Sequence, residues 1–156
     1  IDARLSVLGD GPERARLQAQ AQAAGLSDSI RFLGYLPQQA CARQMQLADA
    51  LILNSVHECG GAVVLEAMSL GLPVIAADWG GPADYLDATC GILVSPVPRE
   101  TFARRLANAM VQLAQDPALC QRMGQSAAAR IRSEFDWERK VDKMLAVYQA
   151  ALTPAR

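Results

Sequence analysis

Two short apolar runs constrain the fold of this chain most. Ala50-Leu51-Ile52-Leu53 and Pro73-Val74-Ile75-Ala76-Ala77 carry no polar residue at alternate positions. A strand that reads this way is covered on both faces, as in a parallel sheet. The elements around them alternate. Arg4-Leu5-Ser6-Val7-Leu8 alternates polar and apolar residues and runs into Gly9-Asp10-Gly11-Pro12, which reads as a strand ending in a tight turn. Residues 13–24, rich in Ala, Gln and Arg, read as a helix stopped by Gly25. Ile30-Arg31-Phe32-Leu33 is a second short strand broken by Gly34, and Pro37 opens a helix over 37–47. Ala62–Met68 reads as a helix closed by Gly71. A short helix runs from Gly80-Gly81-Pro82 to Leu86, and Gly91-Ile92-Leu93-Val94 is the last strand. Strands and helices alternating at this spacing predict an α/β fold, a Rossmann-like parallel sheet with helices on both faces.

From residue 99 onward the pattern is helical only. Phe102, Leu106, Met110 and Leu113 stripe one helix. Asp116-Pro117 supplies a cap and a first-turn proline for the next, striped by Leu119, Met123, Ala127 and Ile131. Asp136 caps a final helix striped by Val141, Leu145, Tyr148 and Leu152. All three stripes are expected to pack into the core. The 156 residues are read as one domain, alternating over 1–98 and all-helical over 99–156.

The apolar fraction of 51% and charged fraction of 20% suit a globular chain with a sizeable core and exclude a disordered one. A net charge of −1 provides no broad positive field, so no nucleic-acid partner is expected. No apolar run reaches the roughly 18 residues of a membrane-spanning helix, so no transmembrane segment is expected. Ile1-Asp2-Ala3-Arg4 is no signal peptide and no initiator Met is present, which reads as a piece of a longer chain. Cys41, Cys59, Cys90 and Cys120 are scattered, and His57 is the only histidine, so no metal site is expected. The four thiols are expected to be reduced and buried.

Ligands of open α/β sheets bind at the carboxyl ends of the strands. Five loops lie there: Gly9–Pro12, Gly34–Leu36, Asn54–Gly61, Asp78–Pro82 and Ser95–Pro98. The third is richest in chemistry. It runs Ser55-Val56-His57-Glu58-Cys59-Gly60-Gly61 and continues as Ala62-Val63-Val64-Leu65-Glu66-Ala67-Met68. Glu58 ends the loop side, and Glu66 lies about one turn into the helix. The glycines between them let a ligand approach the backbone. The first N–H groups of the helix lack internal partners and, with the helix dipole, favour an anion. The two carboxylates can accept from neighbouring hydroxyls. Such a loop suits a ligand that is part phosphate and part polyol. A glutamate early in a helix is also favoured by the dipole alone, and His57 reads as an orienting or surface residue rather than a base.

With Ser55, Glu58, Gly61, Glu66-Ala67-Met68 and Gly71-Leu72-Pro73-Val74 in this order, the segment resembles the retaining, nucleotide-sugar-dependent glycosyltransferases of family 4, which have the GT-B fold. Flanking matches are Gly9-Asp10-Gly11-Pro12, Phe32-Leu33-Gly34-Tyr35, Ala48-Asp49, Gly80-Gly81 with Asp84, Gly91-Ile92-Leu93-Val94 and Phe135-Asp136-Trp137. The resemblance implies the C-terminal, donor-binding half of a two-domain enzyme. Its first strand, and the Arg and Lys after it that neutralise the diphosphate, are not in this sequence. Glu58 is implied as the catalytic-site acid, contacting donor-sugar hydroxyls near the reacting carbon. Glu66 would bond the ribose, and the amides of Gly60, Gly61 and Ala62 would meet sugar hydroxyls and the distal phosphate. Gly9 and Gly11 would admit the nucleotide, and Tyr35 would lie by the base.

Such enzymes are usually metal-independent, so no cofactor is expected beyond the nucleotide-diphosphate sugar itself. A glycan or lipid acceptor would be bound through the N-terminal domain. The implied setting is the bacterial cytoplasm, with a membrane-peripheral position open to the full-length protein. Polysaccharide, glycolipid or a similar glycoconjugate would be the product, and the fragment alone is expected to be inactive and to bind donor weakly. The sequence departs from the family at Cys59, Gly60 and Ala62, where the family often has Gly or Pro, Phe, and Leu. Asp84 stands in a position usually held by Glu. Two alternatives remain open: a sugar-nucleotide epimerase of the same architecture, and a non-catalytic nucleotide-binding module. A dinucleotide-dependent oxidoreductase fits less well, because Gly9-x-Gly11 lacks its third glycine and no acid ends Ile30–Leu33.

Overall fold

A computed structural model describes residues 3–152. Ile1 and Asp2, part of the terminal stretch read above as no signal peptide, lie outside them. The chain divides into two compact units, 1–47 and 48–156.

In the first unit, β1 (Leu5–Leu8) and β2 (Ile30–Gly34) form a parallel pair, crossed by α1 (Arg14–Ala23). The register steps between Val7 and Leu8, so Leu8 pairs with Gly34 and not with Leu33. Helix α2 (Gln38–Gln46) follows after Pro37. Gly25 ends α1 with a positive φ of 70°, which is the conformation its lack of a Cβ allows.

The second unit holds a three-stranded parallel sheet in the order β3 (Leu51–Leu53), β4 (Val74–Ala77), β5 (Gly91–Val94). All four residues of β4, the central strand, are buried. Their unbroken apolar run is what a strand covered on both faces requires. Helix α3 (Ala62–Ser69) joins β3 to β4, and α4 (Gly81–Tyr85) joins β4 to β5. Helix α3 buries Val64, Ala67 and Met68 and leaves Ala62, Glu66 and Ser69 exposed along one face. Spacings of four and three place those three residues together.

Helices α5 (Arg99–Gln115) and α6 (Pro117–Arg130) complete the core. Ile75 and Val94 pack with Ala109, Leu113 and Met123, and Phe102, Leu106, Met110 and Leu119 surround them. The first two helical stripes therefore pack as their periodicity predicts. Asp116 caps α6 by accepting from the Leu119 amide at 2.8 Å. Gly124 of α6 lies against the Gly71 backbone, close enough that a Cβ there would overlap the Gly71 carbonyl.

The third stripe is a correction. Helix α7 (Trp137–Leu152) buries none of its residues. Val141, Leu145, Tyr148 and Leu152 are 47%, 50%, 58% and 83% exposed. Periodicity identifies an apolar face but not its partner, and none of the described residues covers this one. A five-residue π-helical turn, Ile131–Phe135, precedes α7. Phe135 meets Tyr85 edge to face with ring centres 5.4 Å apart, and Lys140 Nζ lies 4.7 Å above its ring centre. All four cysteines are free thiols, but only Cys90 is buried, and Cys59 is exposed on its loop. Among the described residues no helix is long and apolar enough to cross a membrane.

Candidate functional site

The predicted site residues fall in both units. In the first, Gly9, Gly11 and Tyr35 sit on the loops that follow β1 and β2. The Gly9 amide donates to the Gly34 carbonyl at 2.8 Å, which ties the two loops together. Gly9 has a φ of 123°, so a side chain there would strain the turn. The Gly11 amide donates to Asp10 Oδ1 at 2.8 Å, and Arg14 Nη1 reaches Asp10 Oδ2 at 2.9 Å. These two bonds, the amide's first, hold the Asp10 carboxyl below its usual range. The Arg14 guanidinium also lies against Gly34, where an added Cβ would stand 2.8 Å from Nη1. Tyr35 is 81% exposed just beyond this joint. Arg14 is not among the predicted site residues; its signal is the acid four residues before it, in the loop that leads into α1.

In the second unit, Glu58, Gly60, Gly61, Ala62 and Glu66 lie together on the β3–α3 loop and the first turns of α3. Gly61 is the N-cap, with φ 61° and ψ 44°. This left-handed backbone favours glycine and turns the chain into the helix. Glu58 is half-buried, and its Oε1 accepts from the Gly61 amide at 2.8 Å. An acidic side chain thus caps the loop at the positive end of α3, where negative charge is favoured. The Val64 amide bonds to the Gly61 carbonyl at 2.8 Å. The amides of Gly60, Ala62 and Val63 have no acceptor among the described residues, as expected at a helix start.

Of the three amides the resemblance assigns to the donor, that of Gly61 is therefore engaged by Glu58. Glu66 is exposed, and its carboxylate has no partner among the described residues. It shares the open face of α3 with Ala62. His57 is exposed, and its backbone amide donates to Ser55 Oγ at 3.3 Å, which suits a surface position.

The loop rests on the start of α4. The Gly81 amide donates to the Cys59 carbonyl at 3.0 Å. Asp84, in the first turn of α4, is exposed. The arrangement presents, on one side of α3, free amides at a helix N-terminus and two carboxylates with oxygens available to hydroxyl donors. This is what a phosphorylated polyol needs.

Known proteins resemble this chain over most of its length. D-inositol 3-phosphate glycosyltransferase of Streptomyces griseus is 36% identical over 141 residues, covering 90% of this chain and 29% of that protein. The solved structure of sucrose-phosphate synthase from Thermosynechococcus elongatus superposes with a TM-score of 0.79 at 29% identity, over 95% of this chain and 38% of that one. HepE of Anabaena, solved in complex with UDP, superposes with a TM-score of 0.80 at 25% identity, over 96% of this chain and 41% of that one. This chain thus spans well under half the length of each, and its α/β fold with parallel sheets is that of GT-B glycosyltransferases. The family described as glycosyl transferases group 1 matches residues 1–130, and the chain belongs to that family.

Proposed function

We propose that this chain is the donor-binding, C-terminal half of a retaining family 4 glycosyltransferase, which moves a sugar from a nucleotide-diphosphate sugar to a glycan, lipid or other acceptor. The observation that carries this reading is the β3–α3 loop. Glu58 is fixed by the Gly61 amide, two unpartnered amides open α3, and Glu66 stands exposed one turn on. The solved complexes of HepE with UDP and with UDP-glucose support a donor of this class.

In this reading the free amides of Ala62 and Val63, with the α3 dipole, take the distal phosphate. They stabilise the charge that grows as the diphosphate leaves. The Gly60 amide meets a sugar hydroxyl. Glu58 keeps one oxygen on Gly61 and turns the other toward the donor sugar beside the reacting carbon. Glu66 accepts from the ribose hydroxyls. Gly9 and Gly11 let the backbone approach the nucleotide, and Tyr35 serves the base. The diphosphate's charge would be neutralised by amides and by basic side chains, with no metal taking part.

On this reading the 156-residue chain alone, which spans well under half the length of the relatives it matches, is expected to be inactive.

The test uses the full-length protein with UDP-, GDP- and ADP-glucose and a mixed acceptor set. NMR of the product reads the anomeric configuration. Acceptor-dependent release of the nucleoside diphosphate with the donor's configuration kept supports the proposal. Inversion, or conversion of the sugar without an acceptor, overturns it. Calorimetry on the 156-residue chain tests the fragment, and micromolar binding of UDP, GDP or ADP would refute its predicted weakness.

A further inference from the structure

We propose that the Gly80-Gly81-Pro82 turn positions Glu58, setting through direct backbone contact where the acid stands and so governing turnover rather than donor affinity. This rests on Glu58 being the acid beside the reacting carbon.

The turn belongs to a different segment of the chain, at the end of β4, yet it is in contact with the Glu58 loop along its length. A Cβ on Gly80 would overlap the Glu58 carbonyl oxygen and stand 3.2 Å from its carbonyl carbon. A Cβ on Gly81 would overlap the Gly60 carbonyl oxygen and stand 2.9 Å from that of Cys59. The obstructing atoms are backbone, so no rotamer change relieves them. The Gly81 amide adds a 3.0 Å hydrogen bond to the Cys59 carbonyl. Gly80 adopts φ 59° and ψ −150°, a region open essentially only to glycine.

From the other side, a Cβ on Gly61 would stand 3.1 Å and 3.2 Å from Pro82 Cγ and Cδ, and 3.3 Å from Glu58 Cγ. Pro82 is fully buried. Gly61 is thus packed between the proline ring and the stem of the acid whose carboxylate it binds. Glu58 is held at its carbonyl by Gly80, at its carboxylate by the Gly61 amide, and on its stem by the Gly61–Pro82 packing. A carboxylate that must meet a sugar at a set distance depends on such a frame, because small displacements of a reacting group cost much rate.

The test compares Pro82→Ala, Gly61→Ala and their double variant in the full-length protein. The donor is whichever of UDP-, GDP- and ADP-glucose the wild type uses fastest. Turnover, the Kd of the matching nucleoside diphosphate and the thermal midpoint are measured for each. Alkylation of the exposed Cys59 by N-ethylmaleimide, followed by mass spectrometry, reports the freedom of the loop without any turnover.

Pro82→Ala is expected to lower kcat about tenfold with the Kd within about threefold, and to speed Cys59 alkylation severalfold. Gly61→Ala is expected to lower kcat further. Their double variant is expected to lose less than the two single effects combined, because the smaller residue relieves the crowding of the new methyl by Pro82. Additive losses overturn the proposal, as does a Pro82→Ala protein with wild-type kcat and alkylation rate. If Gly61→Ala does not fold, Pro82→Ala alone decides by the same readings. Glu58→Gln is measured alongside. Wild-type turnover in that variant overturns the role of Glu58 and the positioning proposal with it. Lost turnover in Glu58→Gln with no effect of Pro82→Ala overturns the positioning proposal alone.

Discussion

The Gly61 amide donates to Glu58 Oε1 at 2.8 Å, so the acid closes the loop that carries it. One carboxylate oxygen is fixed by the backbone, and no partner occupies the other among the described residues. A carboxylate held in this way is oriented before any ligand arrives. Less ordering is then needed when the donor binds.

In the full-length enzyme, Glu58→Ala should lower turnover more than donor affinity. Removal of a group that acts on developing charge typically costs roughly 100-fold or more in kcat. The donor Kd should move by much less, about threefold, since the proposed phosphate and ribose contacts do not involve this side chain. Steady-state kinetics with calorimetry on the same variant checks the split. Wild-type turnover would remove Glu58 from the reacting centre.

Glu66→Ala should act on affinity. An exposed carboxylate on the open face of α3 that accepts from hydroxyls contributes about 1–2 kcal/mol, a roughly 5- to 30-fold rise in donor Kd. Calorimetry with the nucleoside diphosphate is sufficient, because the ribose is present in the diphosphate. An unchanged Kd would place the ribose elsewhere.

Gly124→Ala tests the packing beneath the site. The added methyl would overlap the Gly71 carbonyl oxygen and stand 3.0 Å from its carbon, both backbone atoms. Helix α6 must then move away from the α3–β4 turn. Overpacking of this kind costs about 1–3 kcal/mol. Urea unfolding of the 156-residue chain should show the loss as a lower midpoint. An unchanged midpoint would mean that α6 is not seated on Gly71.

Much of this architecture was legible in local sequence. The unbroken run Val74–Ala77 marked the central strand, and all four residues are buried. Asp116-Pro117 marked a helix start, and Asp116 makes the capping bond. Glu58, the glycine pair and Glu66 were legible because all lie within one short segment. What stayed hidden involves distant segments or missing partners. The contact of Gly80 and Gly81 with the Glu58 loop joins residues more than 20 positions apart, and only the folded backbone brings them together. The bond from Gly61 to Glu58 depends on a left-handed φ that glycine permits but does not dictate. The apolar stripe of α7 was read as core because periodicity names a face and not its partner.

Asp87 lies in the turn between α4 and β5. Its Oδ1 accepts from the Thr89 amide at 2.8 Å and from the Thr89 hydroxyl at 2.5 Å, and its Oδ2 pairs with Arg130 Nη1. The Thr89 hydroxyl bond is the main cause that holds the Asp87 carboxyl below its usual range, followed by the Thr89 amide, with Arg130 adding to both. Arg130 also reaches Glu134 of the π-helical turn at 3.5 Å, so the cluster joins the β5 turn to the end of α6. A carboxyl whose pKa is lower folded than unfolded stabilises the fold fully above the unfolded value of about 4, and this is lost as the pH falls through the folded value. Asp87→Asn removes the charge at every pH. It should cost about 1 kcal/mol at pH 7, a figure kept small because the Asp87 side chain is 44% exposed. The gap between wild type and variant should stay constant down to about pH 5, shrink below about pH 4 and close in stronger acid. Urea unfolding of both chains from pH 2 to 8 gives the curve directly. A gap that does not narrow in acid would show that the Asp87 charge does not stabilise this turn.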